Sequence, residues 1–570
     1  MDDDRAVRSV ASVRLDRARS RDSIHGDVMT TRTPSRNEPV LGPDAPAEGG
    51  TPKAFDVDLP AHVREILGRR PTIGLAVGVV RDGRLEFFHG HGLADINSRT
   101  PITQDTVFRI GSITKTVTAI AVMQLWERGL IDLDAPANDY LRGFKLVAGM
   151  EEWRPATLRH LLTHTAGIPD VLRLSDLLRA GLTPSDGRPP LLNVAFGQPL
   201  SSLAEYYRGG IEVVVEPGST FAYSNHGYAT LGQIVEDVSG EPLDRYLREQ
   251  IFQPLGMVDS DLVRSERVAS RLATGYVLGS TGASPVADRD WIGAAGGGVY
   301  STPRDMARYL EALLGGGANE HGRVLESASL ATMFQPHYQP DPRVPGMGLG
   351  FFRGDIEGHR VVFHDGILPG FNSELLLAPA DGVGLFAFTN GSSGAFAWLQ
   401  IELDRLLRQL LAVPEGGARD LPHHPELWTE LCGRYVLPPR IADLRERLML
   451  GAGAEVFVRG GRLMARILTP VPALYRGLPL YPVSETDPYV FGLDLSTFGM
   501  APVRVVFASA GDGRATAMHT DLGGQPWSLI RRNDATAKRG WLKAAVGVLA
   551  AVGVMAAARR RTGRPKEMQT

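Results

Sequence analysis

Residues 107–117 read VFRIGSITKTV. A mostly apolar run stops at Gly111, and Ser112 and Lys115 then open a segment of helical pattern. Residues three apart lie on one helix face, so the serine hydroxyl and the lysine amine meet if the helix forms. Two readings are open. Either Ser112 is a nucleophile with Lys115 as its base, or Ser112 is an ordinary helix-start serine and Lys115 a solvated cation. A serine hydroxyl attacks poorly until a base takes its proton. A lysine can be that base only where burial or nearby positive charge lowers its pKa. The spacing alone is common, so the decision rests on partners elsewhere in the chain.

Outward from this stretch, ITKTVTAIAVMQLWERGLI (113–131) carries Val117, Ile120, Ala121, Met123 and Leu125 around most of the helix. A helix apolar nearly all round is buried in a large domain. Upstream, PTIGLAVGVVRDGRLEFFHGHG (71–92) reads as strand, Asp82-Gly83 turn, strand: a hairpin expected at a sheet edge. Helical patterns follow in ATLRHLLTH (156–164), GYATLGQIVEDVSG (227–240), LDRYLREQIF (243–252) and PRDMARYLEALL (303–314). Strand patterns return in HRVVFHDGI (359–367), FNSELLLAPA (371–380) and GVGLFAFTN (382–390), before an amphipathic helix over FAWLQIELDRLLRQLLAV (396–413). An early hairpin, a helical middle and late strands predict one α/β (α+β) domain over 55–413, with N- and C-terminal segments sharing a sheet. Residues 425–532 change to short strands between Gly, Pro and Asp turns, the pattern of a small all-β barrel or sandwich.

The two ends differ again. Residues 1–54 mix charges without an apolar run; they read as disordered, and no secretory signal is expected. Residues 539–561 form an apolar C-terminal helix in which Trp541 to Ala558 would span about 27 Å, against a bilayer core of about 30 Å. It reads as a membrane-seated or spanning helix, or as a surface or oligomer helix. The arginines at 559–561 favour a cytoplasmic C-terminus if it spans, which conflicts with the lack of a signal. The compartment therefore stays open between cytoplasmic and membrane-associated, and the oligomeric state is not set.

The 570 residues suffice for two to four domains, and 43% hydrophobic with 22% charged content is ordinary for a globular chain. A formal net charge of −3 gives no basic field for nucleic acid. One cysteine excludes an internal disulfide framework and any multi-cysteine metal site.

Two further stretches supply partners for Ser112 and Lys115. In FAYSNHGY (221–228), Tyr223 and Asn225 fall between a Pro-Gly turn and a helix, in a loop expected to be exposed. A tyrosine there can relay protons, and the Asn225 amide can donate to a substrate carbonyl and hold Lys115; the plain alternative is a packed tyrosine and an asparagine N-cap. In VVFHDGILPGF (361–371), His364 ends an apolar strand and Gly366 lets a carbonyl approach the backbone. The Ile367 and Ser112 N–H groups can then form an oxyanion hole; the plain alternative is a satisfied histidine beside a tight turn.

Ser-x-x-Lys, Tyr-x-Asn and His-x-Gly, in that order, resemble the signature of the penicillin-recognising serine hydrolases. The branch resembled holds class C β-lactamases, D-alanyl-D-alanine carboxypeptidases, D-aminopeptidases and family VIII esterases. LRHLLTHTAGI, around His164 and Gly167, and AAGGGVYSTPRDMARYL also look like that family. The resemblance covers about residues 60–412. It implies an antiparallel sheet flanked by helices beside an all-helical subdomain, a β-lactamase/transpeptidase-like fold. It also implies acyl transfer, with Ser112 as nucleophile, Lys115 and Tyr223 moving the proton, and Asn225, His364, Gly366 and Ile367 binding substrate. The expected substrate is a small ester or amide, and the resemblance implies no metal or organic cofactor. The alternatives are a D-alanyl-D-alanine carboxypeptidase or β-lactamase, and a catalytically silent binding protein. One departure bears on this. Many members carry Thr where this chain has Asp365, and an anion facing the site would repel substrate carboxylates and favour neutral esters or amides. The later all-β domain weakly resembles barrels appended to some D-aminopeptidase and esterase relatives.

Overall fold

The computed structural model describes residues 57–168, 192–279, 282–392, 398–414, 421–438, 453–468, 472–495, 502–509 and 513–532. The segment 1–54 and the helix expected over 539–561 lie outside the described residues. Among the described residues no helix is long and apolar enough to cross a membrane.

The first strand decides the architecture. GLAVGVV is apolar on both faces, and a strand with no polar face must be covered twice. Strand β1 (Gly74–Arg81) accordingly lies inside the sheet, paired with β2 (Arg84–Asp95) on one side and with a strand some 300 residues later on the other. The hairpin turn is as expected: Asp82 and Gly83 both have positive φ, 50° and 74°, as a two-residue hairpin demands. The hairpin lies toward one edge of the sheet as expected, since only the short β3 (Thr100–Pro101) follows β2, and β1 is its inner strand. The other strands are β4 (Phe352–Ile356), β5 (His359–Leu368), β6 (Phe371–Ala378) and β7 (Val383–Thr389). The seven run in the order β4-β5-β6-β7-β1-β2-β3. Leu75↔Thr389 through Arg81↔Val383 is the register that joins the two ends of the domain.

Side chains alternate between faces along a strand. Leu75, Val77 and Val79, with Leu385 and Ala387, pack on helices α1 (Leu59–Arg69) and α5 (Trp398–Leu410). Ala76 and Val80, with Phe386 and Phe388, face α2 (Thr114–Glu127), α3 (Asn225–Ser239) and α4 (Pro303–Leu314). Helix α2 is buried at every position from Thr114 to Leu125, as its all-round apolar pattern requires.

Eight strands, from Gly433–Val436 to Trp527–Arg532, close into a barrel. The first pairs with the last, Arg434↔Arg532, so no edge is left open. This settles barrel over sandwich. Tyr435, Val456, Leu463, Phe491, Phe507 and Leu529 fill its core. The barrel docks on the hydrolase-like part through Arg343, which pairs with Asp487 at 3.1 Å and donates to the Phe507 carbonyl at 3.0 Å. The Trp527 ring meets Phe221 edge-on at 5.8 Å.

Candidate active site

Ser112 lies in a 3-10 turn, Gly111–Ile113, that leads into α2. Gly111 has φ 54°, a conformation that suits glycine. Side chains fix this start. Thr114 Oγ1 donates to the Gly111 carbonyl at 2.6 Å and accepts from Val299 N–H at 3.1 Å. Thr118 Oγ1 donates to the Ala295 carbonyl at 2.8 Å. The turn before α2 is therefore tied to the Ala294–Val299 glycine segment.

Lys115 is fully buried. Its Nζ donates to Ser112 Oγ at 3.0 Å, Asn225 Oδ1 at 2.7 Å and the Gly296 carbonyl at 2.5 Å. It lies over the rings of Tyr223 and Tyr228, at 4.8 and 5.5 Å from their centres. The reading of Lys115 as a solvated cation is thus overturned. Asn225 and Gly296 can only accept from it, whereas Ser112 Oγ can also donate.

Tyr223 is half-buried, and the loop around it is not exposed as expected: Phe221, Ala222 and Ser224 are buried. The N-cap of α3 is Ser224, whose Oγ accepts from Gly227 N–H at 3.0 Å; Asn225 is the first helical residue and turns its amide toward Lys115. The residue that sequence reasoning left without a role is His164. Its imidazole stacks on Tyr223 at 4.3 Å and accepts from Ser224 N–H at Nδ1, 3.0 Å away. An accepting Nδ1 means the Nε2–H tautomer, and burial, then the charge of Lys115, holds its pKa well below the usual histidine value. His164 stands in a left-handed turn, φ 57°, which leaves no trace in the periodicity of the sequence.

Strand β4 pairs with β5 only as far as Phe352↔Phe363, leaving the β5 backbone from His364 onward unpaired with β4 at the site. Gly366 has no room for a side chain: a Cβ would fall 2.0 Å from the Ile110 carbonyl and 2.2 Å from Ser373 Oγ. A Cβ on Gly111 would sit 3.0 Å from the Ile367 nitrogen. The backbones of Gly111–Ser112 and Gly366–Ile367 are thus in direct apposition, the arrangement two N–H donors need to share one oxyanion.

His364 is fully buried, 5.0 Å from the Phe352 ring and 6.4 Å from Tyr223. Its Nδ1 donates to the Asp365 carbonyl at 2.7 Å. Burial first, and Lys115 second, lower its pKa to about 3. It is a neutral ring at pH 7, so it brings no cation to a substrate. Asp365 is also corrected. Strand alternation puts it on the face opposite His364 and Gly366, directly across from the buried Glu374. Burial raises both carboxyl groups, Glu374 the more, and Asp365 raises Glu374 further. Asp365 therefore sits on the other face of β5, opposite Glu374, and the argument that it faces and repels substrate carboxylates falls.

Among the described residues no cluster of ligand-type side chains could hold a metal ion.

Comparisons with known proteins identify the family of the chain. A family model described as "Beta-lactamase" matches residues 59–408. The chain is 32% identical to "Penicillin-binding protein 4" of Amycolatopsis lactamdurans over 376 residues, 64% of this chain and 92% of that one. It is 32% identical to "Esterase EstB" of Burkholderia gladioli over 341 residues, 54% of this chain and 83% of that one. Among solved structures, an octameric penicillin-binding protein homologue from Pyrococcus abyssi aligns with a TM-score of 0.52 at 24% identity, covering 83% of this chain and 100% of that one. At that identity the likeness shows the fold alone.

Proposed function

This chain belongs to the beta-lactamase family, and from that premise we propose that it is a serine hydrolase that cleaves small esters or amides through an acyl-enzyme on Ser112. The observation that carries the reading is the buried Lys115, held by Asn225 Oδ1 and the Gly296 carbonyl with Ser112 Oγ 3.0 Å away. Ser112 Oγ attacks the carbonyl carbon while its proton passes to Lys115. The carbonyl oxygen gains the electron pair and rests against the Ser112 and Ile367 N–H groups. Collapse breaks the bond to the leaving alcohol or amine, which takes the proton by way of Lys115 and Tyr223. Water then attacks the ester of Ser112 by the same route in reverse roles. Tyr223 is held for this by the His164 ring beneath it and by Lys115 beside it.

A penicillin-binding protein and an esterase stand equally near in identity, so a carboxypeptidase or β-lactamase activity is the second reading. A fluorophosphonate probe followed by peptide mass spectrometry tests the first. Ser112 should carry the label, and Ser112→Ala should carry none. Lys115→Met should slow labelling by about 10²–10⁴-fold, the usual worth of a general base. Stable labelling at another serine, with Ser112 untouched, would overturn the proposal.

A further inference from the structure

A cavity of about 430 Å³ opens beside Ile367, next to the apposed backbones of the candidate oxyanion hole. Part of its wall is apolar, with Leu272, Val286, Trp291, Leu368 and Phe371. The rest is charged: Arg109, Arg264 and Arg289 face a single carboxylate, Asp288. Asp288 is already committed. Its Oδ1 accepts from Arg109 Nη1 and from the Arg289 N–H at 2.9 Å, and its Oδ2 accepts from Arg264 Nη1 at 2.7 Å. Arg289 gives its Nε to a neutral partner, Asn193 Oδ1. Arg109 is 6% exposed and lies 5.2 Å over the Tyr300 ring, and its Nε and Nη2 have no hydrogen-bond partner. One carboxylate thus answers three guanidiniums, one of them buried where charge is poorly screened. The neighbouring Asp290 does not line the cavity and accepts from Gly197 N–H at 3.0 Å.

We propose that this cavity selects acyl groups that end in a carboxylate, so that the preferred substrates are monoesters or monoamides of short dicarboxylic acids. The proposal rests on the acyl-enzyme reading of Ser112 and names the substrate class for it. Reach supports the choice. Arg109 and Ser112 are three residues apart, so their Cα atoms are separated by at most about 11 Å. A spacer of a few methylenes along the apolar wall therefore carries a carboxylate from the reacting carbonyl to the arginines. Guanidinium groups suit a carboxylate because they offer planar paired donors. Asp365, turned to the other face of β5, does not oppose this.

The test compares monoethyl glutarate with ethyl 5-methylhexanoate, a neutral ester of the same shape, by ethanol release at low salt. The wild-type protein should favour the glutarate ester in kcat/KM by about tenfold, the scale of one charge-assisted contact. Added salt should shrink the preference. Arg264→Gln with Arg289→Gln should bring the ratio to about one. Should that double variant fail to fold, Arg289→Gln alone, at an exposed position, should lower the ratio. A wild-type ratio of one or less, or a ratio that survives these substitutions, overturns the proposal. Calorimetry on Ser112→Ala protein, with glutarate against glutaramide, reads the cavity without turnover. Glutarate binding with neither ester cleaved would refute the hydrolase reading and keep the cavity. Equal turnover of both esters without glutarate binding would refute the cavity and keep the hydrolase.

Discussion

Replacing Gly366 by alanine is the sharpest perturbation of the site, because its size can be read from the geometry. The added Cβ would lie 2.0 Å from the Ile110 carbonyl oxygen and 2.2 Å from Ser373 Oγ. Ser373 can rotate at the cost of its 2.7 Å bond to Ile110 O, but the carbonyl is backbone. Relief to the shortest tolerated contact of 3.0 Å already needs β5 and the Ile110–Ser112 segment to part by about 1 Å, a displacement that can cost on the order of 10²-fold in a positioned reaction. Loss of one oxyanion donor costs about 10²–10³-fold, so acylation should fall into that range. Overpacking should also cost about 1–3 kcal/mol of stability. Gly315→Ala is the control, since its Cβ would meet the Ala318 carbonyl at 2.2 Å beyond the end of α4. Single-turnover acylation by a fluorophosphonate, with a thermal melt of each variant, separates the two effects. Both variants should melt earlier, and only Gly366→Ala should acylate slowly. If Gly366→Ala acylates within about threefold of wild type, or if both variants lose rate in step with stability, Gly366 does not set the oxyanion geometry.

Trp527→Ala should cost about 3–5 kcal/mol by emptying a buried site. By freeing the Phe221 side of the Tyr223 loop it should also lower kcat more than it raises KM; an unchanged kcat would mean that the barrel does not hold that loop. Glu374→Gln tests the buried carboxyl. Its folded pKa lies well above the ordinary 4.5, so the unfolded chain ionises first and stability falls as pH rises between the two values. Urea midpoints across that window should decline for wild type and decline less for the glutamine variant; parallel curves would show that Glu374 ionises normally.

Much of this was legible from residues alone because local chemistry and tertiary position agreed. The all-round apolar helix after Ser112 is buried as its pattern required, and the strand texture after residue 425 did mark an all-β barrel. GLAVGVV is apolar on both faces, which suits the inner strand of the hairpin, and the hairpin itself lies toward the sheet edge as its turn suggested. One feature was written in the sequence and misread. The parity of β5 was available: if His364 and Gly366 face the site, Asp365 between them faces away. What could not be read were contacts made by backbone or by stacking. The Gly296 carbonyl on Lys115 and the His164 ring under Tyr223 join residues 181 and 59 positions apart, and neither leaves a periodic trace. The Arg109–Asp288–Arg264 group is similar, since no spacing rule links its members.

The pairing of β1 with β7 has a consequence for how the chain comes to exist. Strand β1 has one neighbour, β2, within its own hairpin, and must wait for residues 383–389 to supply the other. During synthesis the hairpin can close early, but the far edge of β1 stays open while roughly 300 residues are added at about 5–20 residues per second. That edge is long and apolar on both faces, the kind that pairs with the wrong chain. Sheet closure of such sequence separation is slow even once the chain is complete. Chains that stop before residue 383 therefore carry an unpaired sticky strand. Recombinant truncations that end in the helical middle should collect in the insoluble fraction, however well each of their helices would form alone.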